Sequence, residues 1–254
     1  MTHEQAIAET AIFDKISWKR EKELISYEVA LREMQNRAAA IRSGEAEERL
    51  WFLEHPRLYT AGTSAKPADL INPDDLPTFE AGRGGQWTYH GPGQRIVYVM
   101  LDLQRPHGPT PARDLRAFVQ SLESWVIASL SSLGVTGRTE CNRIGVWVDD
   151  PISGCETKIA AIGIRVSRWV SWHGISINLD PRLSDFDGII PCGIREYGVT
   201  SLRRFDPTLT MEDLDNALLS HWGQFFGADP VSVTSERDST ILLPRASTPS
   251  TVES

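Results

Sequence analysis

At 254 residues, the chain is long enough to bury a full core, as one large domain or as one domain with a small lobe. Its 41% hydrophobic and 24% charged content is ordinary for a globular protein, and no apolar run approaches the ~18 residues that span a bilayer. A net charge of −8 argues against a general nucleic-acid binder.

In chain order, the N-terminal stretch carries Glu4, Glu9 and Asp14 and shows neither a secretory apolar core nor an Arg-rich transit pattern, so a cytoplasmic protein is expected. Leu24, Tyr27, Leu31, Met34, Ala38 and Ile41 recur at spacings of three and four, the buried face of a helix that Ser43-Gly44 ends. Leu50 to Leu53 reads as a short strand, and Glu54-His55-Pro56 as a turn that His55 serves. Ile96 to Leu101 reads as a buried strand. Thr110-Pro111 carries the signals of a helix start, with Thr as N-cap and Pro at the first position. Leu115, Phe118, Val119, Leu122, Val126, Leu130 and Leu133 form that helix's buried face, and Gly134 ends it. Ile144 to Val148, Lys158 to Val166 and Trp172 to Leu179 read as a meander of strands around an Asp149-Asp150-Pro151 turn. Thr210 with Asp213 predicts a capping box for a last helix bearing Leu214, Leu218, Trp222 and Phe225. From about Ala228 the chain is Ser-, Thr- and Pro-rich, which predicts a mobile tail. Helices before and after hairpin-linked strands indicate an α+β architecture.

Three places carry candidate chemistry. The first is Arg83-Gly84-Gly85-Gln86-Trp87-Thr88-Tyr89-His90-Gly91-Pro92-Gly93-Gln94, which enters the 96–101 strand. Its glycines let backbone N–H groups approach a ligand where a Cβ would block them. A plain connecting turn has no need of Arg, Gln, Thr, Tyr and His together. The second is Cys192, between Pro191 and Gly193, which fits a thiol presented in a tight turn or a buried structural cysteine. Cys141 and Cys155 are expected to be structural and buried. No Cys/His spacing suits zinc. The third is Lys158. Strict alternation places it on one strand face with Ala160, Ile162, Ile164 and Val166, opposite Ala161, Gly163 and Arg165. A lysine desolvated there has its pKa lowered from about 10.4 and, as a neutral amine, can take a thiol proton. The competing reading is a strand-end lysine that reaches water. His90 and His173 fit acid–base roles or plain hydrogen bonding. Arg165, Arg168, Arg182, Arg195, Arg203 and Arg204 either form a local basic surface or are scattered and solvated. No phosphate-binding GxxxxGK[ST] loop is present.

The 83–94 segment, Lys158-Ile159-Ala160-Ala161-Ile162-Gly163-Ile164-Arg165, His173-Gly174 with Asn178, and Pro191-Cys192-Gly193 resemble the lipoyl(octanoyl) transferase family. Glu54-His55-Pro56 with Tyr59-Thr60-Ala61-Gly62-Thr63 is similar to its N-terminal signature. The resemblance covers roughly Ser17 to Gly227. It implies a fold like that of biotin and lipoate protein ligases, a mixed and mostly antiparallel sheet flanked by helices. A catalytic domain over 16–227 follows, with an extension at 1–15 and a tail at 228–254. The implied activity moves an octanoyl group from acyl carrier protein to a lysine of lipoyl domains, those of 2-oxoacid dehydrogenase E2 subunits and glycine cleavage H protein. Cys192 would carry the acyl thioester and Lys158 would be its acid–base partner. Arg83, Gly84, Gly85, Gln86, Trp87, Thr88, Tyr89 and His90 would line the acyl site with Ala161, Ile162, Gly163, Gly174, Ile175 and Ser176. Trp87 departs from the family's usual smaller residue. No cofactor or metal is implied. Two rivals remain: an ATP-dependent lipoate or biotin ligase of the same fold, and a non-catalytic module that binds acyl carrier or lipoyl domains.

Overall fold

The computed structural model describes residues 16–141, 143–190, 198–227 and 229–232. Its largest unit is a sheet of nine strands among the described residues. In spatial order these are β12 (Val231–Ser232), β1 (Ile16–Arg20), β2 (Glu48–Leu53), β6 (Gln94–Met100), β10 (Val170–Asn178), β9 (Glu156–Ser167), β8 (Arg143–Asp149) and β7 (Arg138–Glu140). β11 (Gly198–Val199) joins β9 off this path. The central pairs are antiparallel, while β1 runs parallel to β2 and β12, and β11 parallel to β9. A second sheet of β4 (Thr78–Glu80), β3 (Leu58–Ala61) and β5 (Trp87–His90) stands beside it.

The two faces of the large sheet are covered differently. Leu50 and Phe52 of β2, Val97 and Val99 of β6, and Ile175 and Ile177 of β10 point to one side. There they meet α2 (Leu115–Ser132) and α3 (Met211–Phe226). Trp125 and Trp222 join the two helices edge to face, with centroids 4.9 Å apart. The alternate residues Trp51, Leu53, Ile96, Tyr98, Met100 and Trp172 point the other way, onto α1 (Tyr27–Ser43). Covered on both sides, β2, β6 and β10 are buried at every position.

The capping box at Thr210 and Asp213 is present, and Gly44 ends α1 at φ 75°. The second helix departs from expectation. Arg113 takes a left-handed φ of 55°, so helix cannot run through from Thr110, and Asp114 becomes the cap by accepting from Ala117 N. Thr110 instead bridges to His107 and donates its hydroxyl to Phe225 O, which ties the loop to α3. The first residues of both predicted helix faces also lie outside the core, Leu24 being 47% and Leu115 41% exposed. Cys141 and Cys155 are exposed rather than buried, because both sit in turns. Val231 and Ser232 of the expected tail pair with β1, and residues beyond them fall outside the described set. Among the described residues no helix is long and apolar enough to cross a membrane.

Candidate active site

The glycine-dense loop is held against β3 and β9 by contacts that only bare backbone permits. A Cβ on Gly62 would lie 2.1 Å from Gly85 O, and one on Gly163 would lie 2.8 Å from Arg83 Cδ. Gly84 N donates to Ile164 O at 2.9 Å, on the edge of β9 that β8 leaves unpaired. Arg83 therefore lies buried across Gly163. Its guanidinium donates to Thr60 O (2.8 Å), Thr60 Oγ1 (2.9 Å) and Gly84 O (2.9 Å), all neutral acceptors. Burial lowers its pKa to about 10, against opposing pulls from Tyr27 and Tyr98.

Beyond Arg83 is a small inner cavity of about 50 Å³ walled by Tyr27, Thr60, Tyr98, His90 and His173. Strand alternation would point His173 away from its neighbour Trp172. A left-handed φ of 60° brings it round instead, stacked on Trp172 at 4.8 Å and hydrogen-bonded to Tyr27 Oη at 3.0 Å. Such a backbone persists only where the surroundings over-determine it. His55, far from serving only a turn, is fully buried; it donates through Nδ1 to Ile25 O and accepts from Tyr98 Oη, each at 2.6 Å. Burial lowers His55 to about 4 and His173 to about 3, and holds His90 well below 6.5. The imidazoles in the wall and behind it are thus neutral. The same burial raises Tyr27 to about 12.

A larger cavity of about 420 Å³ shares Arg83, Thr88 and Gly163 with the inner one, and Lys158 stands there on a face that strict alternation did not predict. Lys158 pairs with Trp147 and Ala160 with Val146, so β9 has one residue more than β8 between these pairs. This β-bulge turns Ile159 and Ala160 both toward the α2/α3 core and reverses the parity. Lys158 accordingly shares a face with Ala161 and Gly163, not with Ala160, Ile162, Ile164 and Val166. Its Nζ donates to Ile144 O at 3.0 Å and lies 4.7 Å from the centre of the Trp147 ring. Gly145 makes room for it, because a Cβ there would meet Ala160 O at 2.7 Å and Lys158 Cε at 3.3 Å. Glu123 of α2 accepts Gly145 N at 3.0 Å and holds that backbone in place.

The structure brings Arg83, Thr88, His90, Ala161, Ile162, Gly163, Gly174, Ile175 and Ser176 to the inner cavity, and Gly84, Gly85, Gln86, Trp87 and Lys158 to the outer one. Tyr89 points away, into a cluster with Tyr59 and Phe186. Cys192 lies outside the described residues, as do Pro191, Gly193 and Arg195. The remaining arginines do not form one surface. Arg165 and Arg168 flank the β9–β10 turn, with β10 between them and the rest, roughly 25 Å at strand rise. Arg182, Arg203 and Arg204 each pair with a carboxylate, of Asp185, Asp180 and Asp150 respectively. Sequence reasoning missed Tyr27 and Tyr98, which read as ordinary helix or strand core, and named Thr60 only within the 59–63 signature, with no role at the site. Among the described residues no cluster of three His, Cys, Asp or Glu side chains suits a metal ion.

The family model of the lipoyl protein ligase A/B catalytic domain matches residues 26–223. The chain belongs to this family. Within it, the chain is 54% identical over 218 residues to an octanoyltransferase of Gluconacetobacter diazotrophicus, covering 86% of this chain and 94% of that one. It is 56% identical over 218 residues to an octanoyltransferase of Acidiphilium cryptum, covering 86% and 95%. The fold is shared with a lipoate-protein ligase A bound with ATP (TM-score 0.65, 15% identity, 88% of this chain and 90% of that one). It is shared also with the bi-partite lipoate protein ligase of Thermoplasma acidophilum (TM-score 0.62, 14% identity, 88% of each). The chain is thus an enzyme of the octanoyltransferase family on a lipoate-ligase fold.

Proposed function

We propose that this octanoyltransferase takes its acyl group from the thioester of octanoyl-acyl carrier protein, holds it on Cys192, and passes it to a lysine of lipoyl domains. In the first half-reaction the Lys158 amine takes the Cys192 proton, and the thiolate attacks the donor carbonyl. A carbon–sulfur bond forms to Cys192, and the carrier thiol leaves with the proton returned by Lys158. In the second half-reaction the acceptor lysine, as a neutral amine, attacks the new thioester; an amide forms and Cys192 leaves as the thiol. Dividing the transfer in this way replaces one hard step by two easier ones.

The observation that carries this reading is that Lys158 lines a cavity of about 420 Å³ together with the glycine-dense loop and Ala161 to Gly163. The anchor beside Lys158 also fits. Val199, seven residues after Cys192 in the sequence, pairs with it in β11. Arg83 to His90, Ala161 to Gly163 and Gly174 to Ser176 would receive the acyl chain.

Mixing the enzyme with octanoyl carrier protein, without acceptor, should add one octanoyl mass to the protein. Free octanoate with ATP should not replace the carrier; if it does, the ligase chemistry of the structural relatives applies instead. If no covalent adduct forms under either condition, the chain only binds its partners.

A further inference from the structure

Three buried side chains and the Thr200 backbone link the acyl cavity to the strand that bears Lys158. His90 Nδ1 is 2.7 Å from Gln94 Oε1, Gln94 Nε2 donates to Asn178 Oδ1 at 2.9 Å, and Asn178 Nδ2 donates to Thr200 O at 2.9 Å. Thr200 N in turn donates to Lys158 O at 3.1 Å, and Thr200 Oγ1 donates to Asp150 Oδ2 at 2.6 Å. Gln94 and Asn178 face each other in register across β6 and β10, and both are at most 4% exposed.

The polarity of this chain is fixed by its far end. The Thr200 carbonyl can only accept, so Asn178 must present its NH2 to it and its oxygen to Gln94. Gln94 must then present its NH2 to Asn178 and its oxygen to His90. His90 must therefore carry hydrogen on Nδ1, which leaves Nε2 bare toward Thr60 Oγ1 at 3.4 Å. Thr60 Oγ1 already accepts from Arg83, so its own hydrogen is available to that nitrogen. No freedom to flip an amide remains anywhere along the line.

We propose that Gln94 and Asn178 are positioning residues for acyl transfer: Asn178 fixes Thr200 and through it the Lys158 backbone, and Gln94 fixes the tautomer of His90 in the cavity wall. The first half of this statement rests on Lys158 being the acid–base partner; the second half does not. Both also line the outer cavity that holds Lys158, and the role assigned to them is exerted through Thr200 and His90. A backbone carbonyl outside the cavity thereby orients an imidazole inside it, so one line of hydrogen bonds sets both the acyl wall and the proton-transfer group.

The test uses the full chain and two variants that disturb one end each. Asn178→Asp keeps the shape and still accepts from Gln94 but cannot donate to Thr200 O. Its kcat with octanoyl carrier protein should fall about 100-fold, the scale of a reacting group displaced by about 1 Å. The KM for the carrier should stay within about threefold, since Asn178 is not part of the inner cavity and the substitution keeps its shape. Gln94→Leu removes the acceptor at Nδ1, and nitrogen NMR of His90 should show the Nδ1–H form of the wild type replaced by a mixture. A wild-type His90 protonated on Nε2 would overturn the tautomer assignment, and an Asn178→Asp enzyme with unchanged kcat and only a lower Tm would overturn the positioning role. Lys158→Ala in the same assay separates the two claims: if it keeps full activity, the reading of Lys158 fails while the His90 spectrum still decides the rest.

Discussion

On one face of the large sheet, Trp125, Trp222, Phe118 and Phe226 fill the space between helices with apolar rings. On the other, at the β6–β10–β9 end, the buried polar side chains of Arg83, His90 and His173 wall the inner cavity, and those of Gln94 and Asn178 the outer one. Gln94 and Asn178 are alternate residues of the same strands that feed the apolar face, His173 is turned to the cavity by its positive φ, and Arg83 and His90 are brought in by the glycine-dense loop and β5. The apolar face gains from every ångström of contact. The cavity face gives up packing, keeps ionisable groups neutral by desolvation, and places glycines where a Cβ would block a neighbour. Stability and chemistry are thereby divided across one backbone, and each prediction below tries to break one side without the other.

The largest effect is expected from Lys158→Ala, which should slow acylation by ~10²–10⁴, the range for a lost acid–base group, with Tm nearly unchanged. Lys158→Arg should rescue poorly, because a guanidinium supplies charge but cannot accept the proton. Wild-type acylation rates in both variants would return Lys158 to the role of a strand-end lysine.

Trp222→Ala strikes the apolar face. Loss of its contacts with Trp125 and Phe226 should cost about 3–5 kcal/mol, lowering Tm by on the order of 10 °C. Steady-state KM below the transition should hold. A large rise in KM without a change in Tm would show the two faces to be coupled.

Acid should act on the cavity face through its histidines. His55 and His173, at about 4 and about 3, and His90 stay neutral when folded, whereas the unfolded chain protonates them near 6.5. The unfolded state therefore binds more protons below about pH 6.5, and stability present above that value is lost as pH falls toward about 4. The loss amounts to a few kcal/mol at most per histidine, and His55→Gln should flatten the Tm–pH curve in this window. A curve unaltered by His55→Gln would mean that this imidazole is not held neutral by burial.

How far the sequence could be read depended on whether a feature is local. The Thr210–Asp213 capping box lies within one turn and formed as read, and the glycine-dense 83–94 stretch led straight to the cavity wall. Thr110-Pro111 had the local signs of a helix start, but the left-handed Arg113 and the tie to Phe225 decided otherwise. The face of Lys158 was beyond reach, since parity along β9 depends on a bulge set by its register with β8, which no residue pattern within β9 reveals. Tyr27 shows the same limit: it keeps the helical spacing of a core residue, and only His173's positive φ makes it a cavity residue. The remaining small effect checks the local side of this contrast: Thr210→Ala should cost about 1 kcal/mol, read as a slight fall in Tm with activity unchanged.

The most direct measurement is peptide mapping after octanoyl carrier protein is added without acceptor, in the wild type and in Cys155→Ala. Cys141 and Cys155 are exposed, so an indiscriminate thiol reaction would label them as well. The octanoyl mass is predicted on the peptide bearing Cys192 alone, in both proteins, and to vanish with Cys192→Ala along with transfer activity. Label on Cys141 or Cys155, or full transfer by Cys192→Ala, would contradict the account.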